Sequence, residues 1–171
     1  MPDPVPQQHL QPSLFDRLLD DEPDRLKEGD DKRTLTRAAL RQAVLRDLDW
    51  LLNTTSLGLA HDDGRHPHAA RSVINYGLPM LSGQFTSSIQ RVSMEQALRQ
   101  AIVQYEPRIL PDSLEVELVM DGPAIDSHNG IGLVIRGLLW AQPVPLEFLL
   151  RSQIDLEEGR VEVQHGAQHR R

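Results

Sequence analysis

The stretch Ser93 to Met120, SMEQALRQAIVQYEPRILPDSLEVELVM, changes its hydrophobic period halfway along, and that change decides the fold. In the first half Met94, Leu98, Ala101, Ile102 and Tyr105 recur at three- and four-residue spacing, the stripe of an amphipathic helix. Ser93 reads as its N-cap, with Gln96 at the third helical position closing a capping box. Pro107 sets the end. Proline disfavours helical geometry in the residue before it, so Glu106 is expected to leave the helix and the chain to turn there. In the second half Leu114, Val116, Leu118 and Met120 alternate with Glu115, Glu117 and Val119, the period of a strand with one wet face. Helix therefore runs directly into sheet across Glu106, Pro107 and Arg108.

Upstream of this junction, Leu40, Val44, Leu48, Leu51 and Leu52 line one face of a helix expected from Thr36 to Asn53. Arg37, Arg41 and Asp47 fall on the opposite side and read as its solvated face, with no function attached. Downstream, Asp121, Gly122 and Pro123 break the first strand. A second fits Gly130 to Leu139, with Ile131, Leu133, Ile135 and Leu139 on one face and Val134, Leu138 and Trp140 on the other, as in a central strand covered on both sides. Pro143 and Pro145 end that pairing. Gln153 to Leu156 and Val161 to Val163 then flank Glu157, Glu158, Gly159 and Arg160, a hairpin in which Gly159 supplies a positive φ. The expected class is α+β, with N-terminal helices packed on a mostly antiparallel C-terminal sheet that ends in a hairpin.

Around this frame, residues 1–12 are rich in proline and glutamine and are expected to form a flexible segment. Ser13 caps a short helix carrying Leu14, Phe15, Leu18 and Leu19, Asp20 to Arg33 is a charged connector, and residues 164–171 form a flexible tail. The run Val73, Ile74, Asn75, Tyr76, Gly77 leads into Leu78, Pro79 and Met80 and reads as an irregular segment packed flat on the core. His61 to His68 offers residue types able to ligate zinc, but the same mixture is ordinary turn chemistry, so neither a metal nor another cofactor is expected.

The bulk numbers exclude several function classes. At 171 residues the chain fits one domain, residues 13–163, able to bury roughly two thirds of its unfolded surface. With 25 acidic and 18 basic residues the formal charge is -7, which repels a phosphate backbone, so no nucleic-acid partner is expected. The absence of cysteine removes disulfides, thiolate metal sites and cysteine nucleophiles, and fits a reducing, cytoplasmic compartment. Met1 to Pro12 carries no secretory signal, and no apolar run approaches the roughly 18 residues of a membrane span, so no direct membrane insertion is expected.

Taken alone, Glu106, Pro107 and Arg108 place a carboxylate and a guanidinium on either side of a stiff residue, a combination suited to fixed bidentate ion pairing. A helix terminus whose charges face water would carry the same residues. Context adds specificity. With Tyr105 to Ile109, Val73 to Gly77, Ser13 to Leu18 and the closing run Leu150 to Gly159, the chain resembles, nearly end to end, the TssE family of lysozyme-like baseplate subunits of bacterial type VI secretion systems.

That resemblance implies a single lysozyme-like domain in the wedge of a contractile, phage-tail-like baseplate on the cytoplasmic side of the inner membrane. The implied partners are the TssF and TssG wedge subunits, TssK, and the TssB/TssC sheath, whose polymerisation the family helps to start. Glu106, Pro107 and Arg108 match the family's Glu-Pro-Arg motif and are the expected partner-binding residues. Val161, Glu162 and Val163 are the candidate sheath-contact strand, through addition of a partner strand to the sheet edge. Whether the arginine that meets Glu106 is Arg108 or comes from another chain is left open by the sequence.

The lysozyme-like label raises peptidoglycan hydrolysis as the alternative, which needs two carboxyl groups, one with a raised pKa. Asp112, Glu115 or Glu117 would have to partner Glu106, yet Arg108 favours an ionised carboxylate beside it. With 3 Phe, 2 Trp and 2 Tyr there are few platforms for stacking sugars. Neither a Gly-x-Ser-x-Gly elbow nor a phosphate-binding glycine loop occurs. The expectation is an assembly protein with no catalytic residue, with a generic adaptor domain as the further alternative.

Overall fold

The computed structural model describes residues 13–18, 35–58, 65–80, 88–119, 130–155 and 157–164. In chain order these form α1 (Leu14–Leu18), α2 (Arg37–Leu52), α3 (Pro67–Ala70), a 3-10 turn (Val73–Asn75), α4 (Ser88–Tyr105) and a second 3-10 turn (Pro111–Ser113). The strands β1 (Glu115–Val119), β2 (Gly130–Leu139), β3 (Leu146–Asp155) and β4 (Val161–Gln164) follow. They make a fully antiparallel meander in the order β1-β2-β3-β4. Helices first, then an antiparallel sheet closing in a hairpin, is the expected architecture.

Local chemistry sets the boundaries. The Thr36 hydroxyl accepts from the Ala39 backbone N–H at 3.1 Å and starts α2, and Asn53 ends it. The Ser13 hydroxyl does the same for α1, accepting from the Asp16 N–H at 3.2 Å while donating to the Asp16 carboxylate at 2.7 Å. Gly159 adopts φ +67° in the β3–β4 turn, where the Asp155 carboxylate accepts from the backbone N–H groups of Glu157 and Glu158. Gly77 is required for a different reason. At φ +118° it lies against Thr54, whose carbonyl accepts from Leu78, and any Cβ would collide with that carbonyl.

One face of the sheet carries the core. Leu118, Leu133, Ile135, Leu139, Leu150 and Ile154 are buried, and they meet Leu48, Leu51 and Leu52 of α2 and Leu98 and Ile102 of α4 in a single cluster. α2 lies against β3 and β4, and α4 against β1. Truncating one of these fully buried leucines to alanine costs about 2–5 kcal/mol, the transfer term plus the cavity left behind.

The other face of the sheet departs from expectation. Val134 and Leu138 are only half-buried, Arg136 and Trp140 are exposed, and no described element covers them. Both long helices occupy the same side, so among the described residues β2 is central in the sheet but covered on one face alone. α4 also begins at Ser88, a turn and more before the expected cap at Ser93, because nothing between Ser88 and Val92 breaks a helix and an interior serine costs only roughly 0.5 kcal/mol. Val73 and Ile74, read as packed on the core, are 81% and 64% exposed. The segment is anchored instead by Asn75, which is buried and donates from Nδ2 to the Ala70 carbonyl at 3.1 Å, and by Leu78. Gln164, assigned to the tail, pairs with Arg151 as the last residue of β4. Residues 1–12, 165–171, the Asp20 to Arg33 connector and His61 to Gly64 lie outside the described residues.

Candidate partner-binding site

The end of α4 builds the site. The Glu106 backbone N–H makes a last helical bond to the Ile102 carbonyl at 2.8 Å, and Pro107 has no N–H with which to continue. The chain then passes straight into the sheet. The Arg108 carbonyl accepts from Trp140 at 2.7 Å, Ile109 bridges Leu139, and Leu110 donates to the Leu138 carbonyl at 2.8 Å. The triplet is thus held at both ends, by a helix and by the end of β2.

Within it, the side chains close on one another. Glu106 is only 3% exposed. Its Oε1 accepts from the Arg108 backbone N–H at 3.1 Å and from Arg108 Nε at 2.7 Å, while Oε2 accepts from Arg108 Nη2. This is a bidentate fork between residues two apart, with Pro107 fixing the backbone between them. The arginine that meets Glu106 is Arg108 of the same chain.

The pairing extends to the other helices. Arg108 Nη2 also bonds the Asp47 carboxylate on α2, whose second oxygen accepts from Arg46 Nε at 2.9 Å, and Arg46 Nη2 reaches Asp16 on α1 at 2.7 Å. Charges therefore alternate from Asp16 through Arg46, Asp47 and Arg108 to Glu106, linking α1, α2 and the end of α4. Burial opposes the charge on Arg108, but hydrogen bonds to Glu106 and the Glu106 charge, followed by those of Asp47, outweigh it and raise its pKa above the usual value. Burial likewise opposes the charge on Asp16, and the hydrogen bonds from Ser13 and Arg46 outweigh it, holding that carboxyl below its ordinary range.

Aromatic side chains wall this network. The Arg46 guanidinium carbon lies 5.1 Å from the centroid of the Trp50 ring, a cation–π contact. Tyr76 and Tyr105 meet edge to face with centroids 5.1 Å apart, and the Tyr105 hydroxyl donates to the Ser72 carbonyl at 3.0 Å. Burial first, then the Asp47 and Glu106 charges, push the Tyr76 phenol up. Burial raises Tyr105 against a smaller opposing hydrogen bond to Gln104.

These groups surround a cavity of about 450 Å³. Trp50, Tyr76, Tyr105 and Pro107 form its apolar walls, and Asp47, Glu106 and Arg108 its charged floor. Arg108 Nη1 is buried there with no hydrogen-bond acceptor among the described residues. An open, largely apolar recess of this size is suited to receive a side chain of another protein.

The sequence brought Glu106, Pro107 and Arg108 to this place but not the residues that complete it. Asp47, read as part of a solvated face, is the link to α2, and Asp16, Arg46 and Trp50 were not singled out. Val161, Glu162 and Val163 lie on β4, at the far edge of the sheet and away from this cavity. Among the described residues no group of three or more metal-ligating side chains assembles, and His66, Pro67 and His68 are exposed at the start of α3. No helix among them is long and apolar enough to cross a membrane.

The site as a whole is a helix-to-sheet junction that carries a self-paired charge network beside an open, largely apolar recess. A family model described as baseplate wedge protein gp25 matches residues 38–144, from the first turn of α2 through the Glu-Pro-Arg junction to the loop after β2. The chain belongs to this baseplate wedge family. No curated protein matches it. Membership gives it a structural role in a phage-baseplate-like assembly, among other protein subunits.

Proposed function

We propose that the chain is the TssE-type wedge subunit of a type VI secretion baseplate, working in the cytoplasm against the inner membrane without catalysing a reaction. It joins TssF and TssG, with TssK, through the recess over Glu106, Pro107 and Arg108, and helps TssB/TssC sheath assembly begin at β4. The observation that carries the reading is the charge network itself. Buried ionic groups of this kind hold a surface in one geometry rather than adding much stability, and here the surface held is the open recess. Against a hydrolase, the Arg108 guanidinium is bonded to both acidic residues that line the recess, Glu106 and Asp47, so both are engaged within the fold.

The test sets two assays side by side on the purified chain. Co-purification with TssF and TssG, together with no clearing of peptidoglycan, is the expected result. Clearing of peptidoglycan that Glu106→Gln abolishes would replace the assembly reading with the hydrolase.

A further inference from the structure

An edge strand of an antiparallel sheet turns every second peptide group away from its neighbour, toward any strand that might be added. The Asp155 N–H donates to the Arg160 carbonyl at 2.8 Å, and the register pairs Gln153 with Glu162 and Ile154 with Val161. Alternation then directs Glu162 toward β3 and leaves Val161 and Val163 facing outward. At Val161 both outward groups are already taken by one side chain. Asn53 Oδ1 accepts from the Val161 N–H at 2.9 Å, and Asn53 Nδ2 donates to the Val161 carbonyl at 3.0 Å.

A carboxamide carries the same donor and acceptor as a peptide group, so Asn53 stands where a residue of a fifth strand would stand. It is held there by α2, since Nδ2 also lies 3.0 Å from both the Asp49 carbonyl and the Asp49 carboxylate. The opposite edge is closed in a similar way by α4. Glu95 accepts from the Leu118 N–H at 2.9 Å, and Arg99 Nε donates to the Leu114 carbonyl at 3.3 Å. Val116 therefore lies between two occupied positions on β1. On β4, by contrast, the outward N–H and C=O groups of Val163 have no partner among the described residues.

We propose that Asn53 sets the register of strand addition: an extended segment of another protein chain is admitted to β4 at Val163 and refused at Val161. This rests on the reading of β4 as the sheath-contact strand and specifies where on β4 the contact begins. The occupant is main chain in extended form, because the group already seated at Val161 is a peptide mimic bonded at both its donor and its acceptor. Side chains of the incoming strand are unconstrained by this device, but its starting position is fixed.

Quenched amide exchange, read residue by residue on the full chain with and without purified TssB/TssC, tests it. In the free chain the Val161 amide exchanges at least tenfold more slowly than that of Val163. Asn53→Ala removes that difference and leaves the Leu118 amide, capped by Glu95, unchanged as a control on the fold. Asn53→Ser, too short to bridge to Val161, gives the same readout if the alanine chain fails to fold. With TssB/TssC the original chain gains at least tenfold protection at Val163 and none at Val161, and the Asn53 variant gains it at both. Equal protection patterns in the two chains on adding TssB/TssC would overturn the register claim. TssB/TssC binding with no response at either amide, while Val161 still loses protection in the free variant, would overturn the strand-addition reading beneath it.

Discussion

Glu106 is bound by the residue two positions after it: the Arg108 backbone N–H and Nε both donate to its Oε1, at 3.1 Å and 2.7 Å, across an intervening proline. Removing the arginine leaves a carboxylate buried without its cation. Arg108→Ala is expected to destabilise the chain by about 3 kcal/mol, the lower end for breaking a buried pair because Arg108 is itself partly exposed. Arg108→Lys should recover only part, since an ammonium cannot reproduce the fork. Urea denaturation reads both. A midpoint for Arg108→Ala equal to that of the unmodified chain would show the pair to be dispensable for folding.

Asp47 couples α2 to the end of α4 only through the same guanidinium. A double-mutant cycle of Asp47→Ala with Arg108→Ala should give an interaction energy of about 1–2 kcal/mol, because each substitution removes the other's partner. Strict additivity of the two effects would mean that the bridge contributes nothing in solution.

The chain contains 2 tyrosines, Tyr76 and Tyr105, so tyrosinate absorbance reports on the wall of the recess alone. Burial raises both phenols above the ordinary tyrosine value of 10.0. Between pH 10 and the raised values the unfolded chain has lost phenolic protons that the folded chain retains, so stability falls as pH rises through that window. Spectrophotometric titration should place the native midpoint above 10.0 and return it toward that value in denaturant. A native midpoint at or below the denatured one would contradict the burial of the pair.

Asp16 works in the opposite direction. Its carboxyl is lowered in the fold, so the attachment of α1 to Arg46 is fully present above the unfolded value of 3.8 and is lost as pH falls through the folded one. Trp50, stacked by the same Arg46, is a fluorescent reporter once Trp140 is changed to Phe. Its emission should shift below pH 3.8 in that chain, and Asp16→Asn should produce the shifted spectrum at neutral pH. Identical spectra for the Asp16→Asn and Asp16 chains at neutral pH would separate α1 from the network.

Much of the fold was legible because its signals are local. The period change after Pro107, the cap at Thr36 and the glycine at 159 each act within a few residues, and the elements they predict are present. That no described element covers the second face of β2 was not legible, because Val134 and Leu138 look equally buried whether one layer or two packs on the sheet. The same limit applies to the site. Glu106 and Arg108 are two positions apart in sequence, but Asp47 joins them across 61 positions and Asn53 reaches Val161 across 108, distances at which charge or carboxamide type alone carries no signal.

Because Arg108 is built into the fold, the recess itself must be probed elsewhere. Trp50, 46% exposed on its wall, can be truncated at a cost of about 1 kcal/mol, the value of its cation–π contact. The most direct measurement is the affinity of the purified chain and of its Trp50→Ala variant for TssF and TssG, with denaturation midpoints taken on the same samples. At least tenfold weaker binding, about 1.4 kcal/mol, with the fold intact is the predicted result. Equal affinity of the two chains would contradict the assignment of the recess over Glu106, Pro107 and Arg108 as the wedge contact.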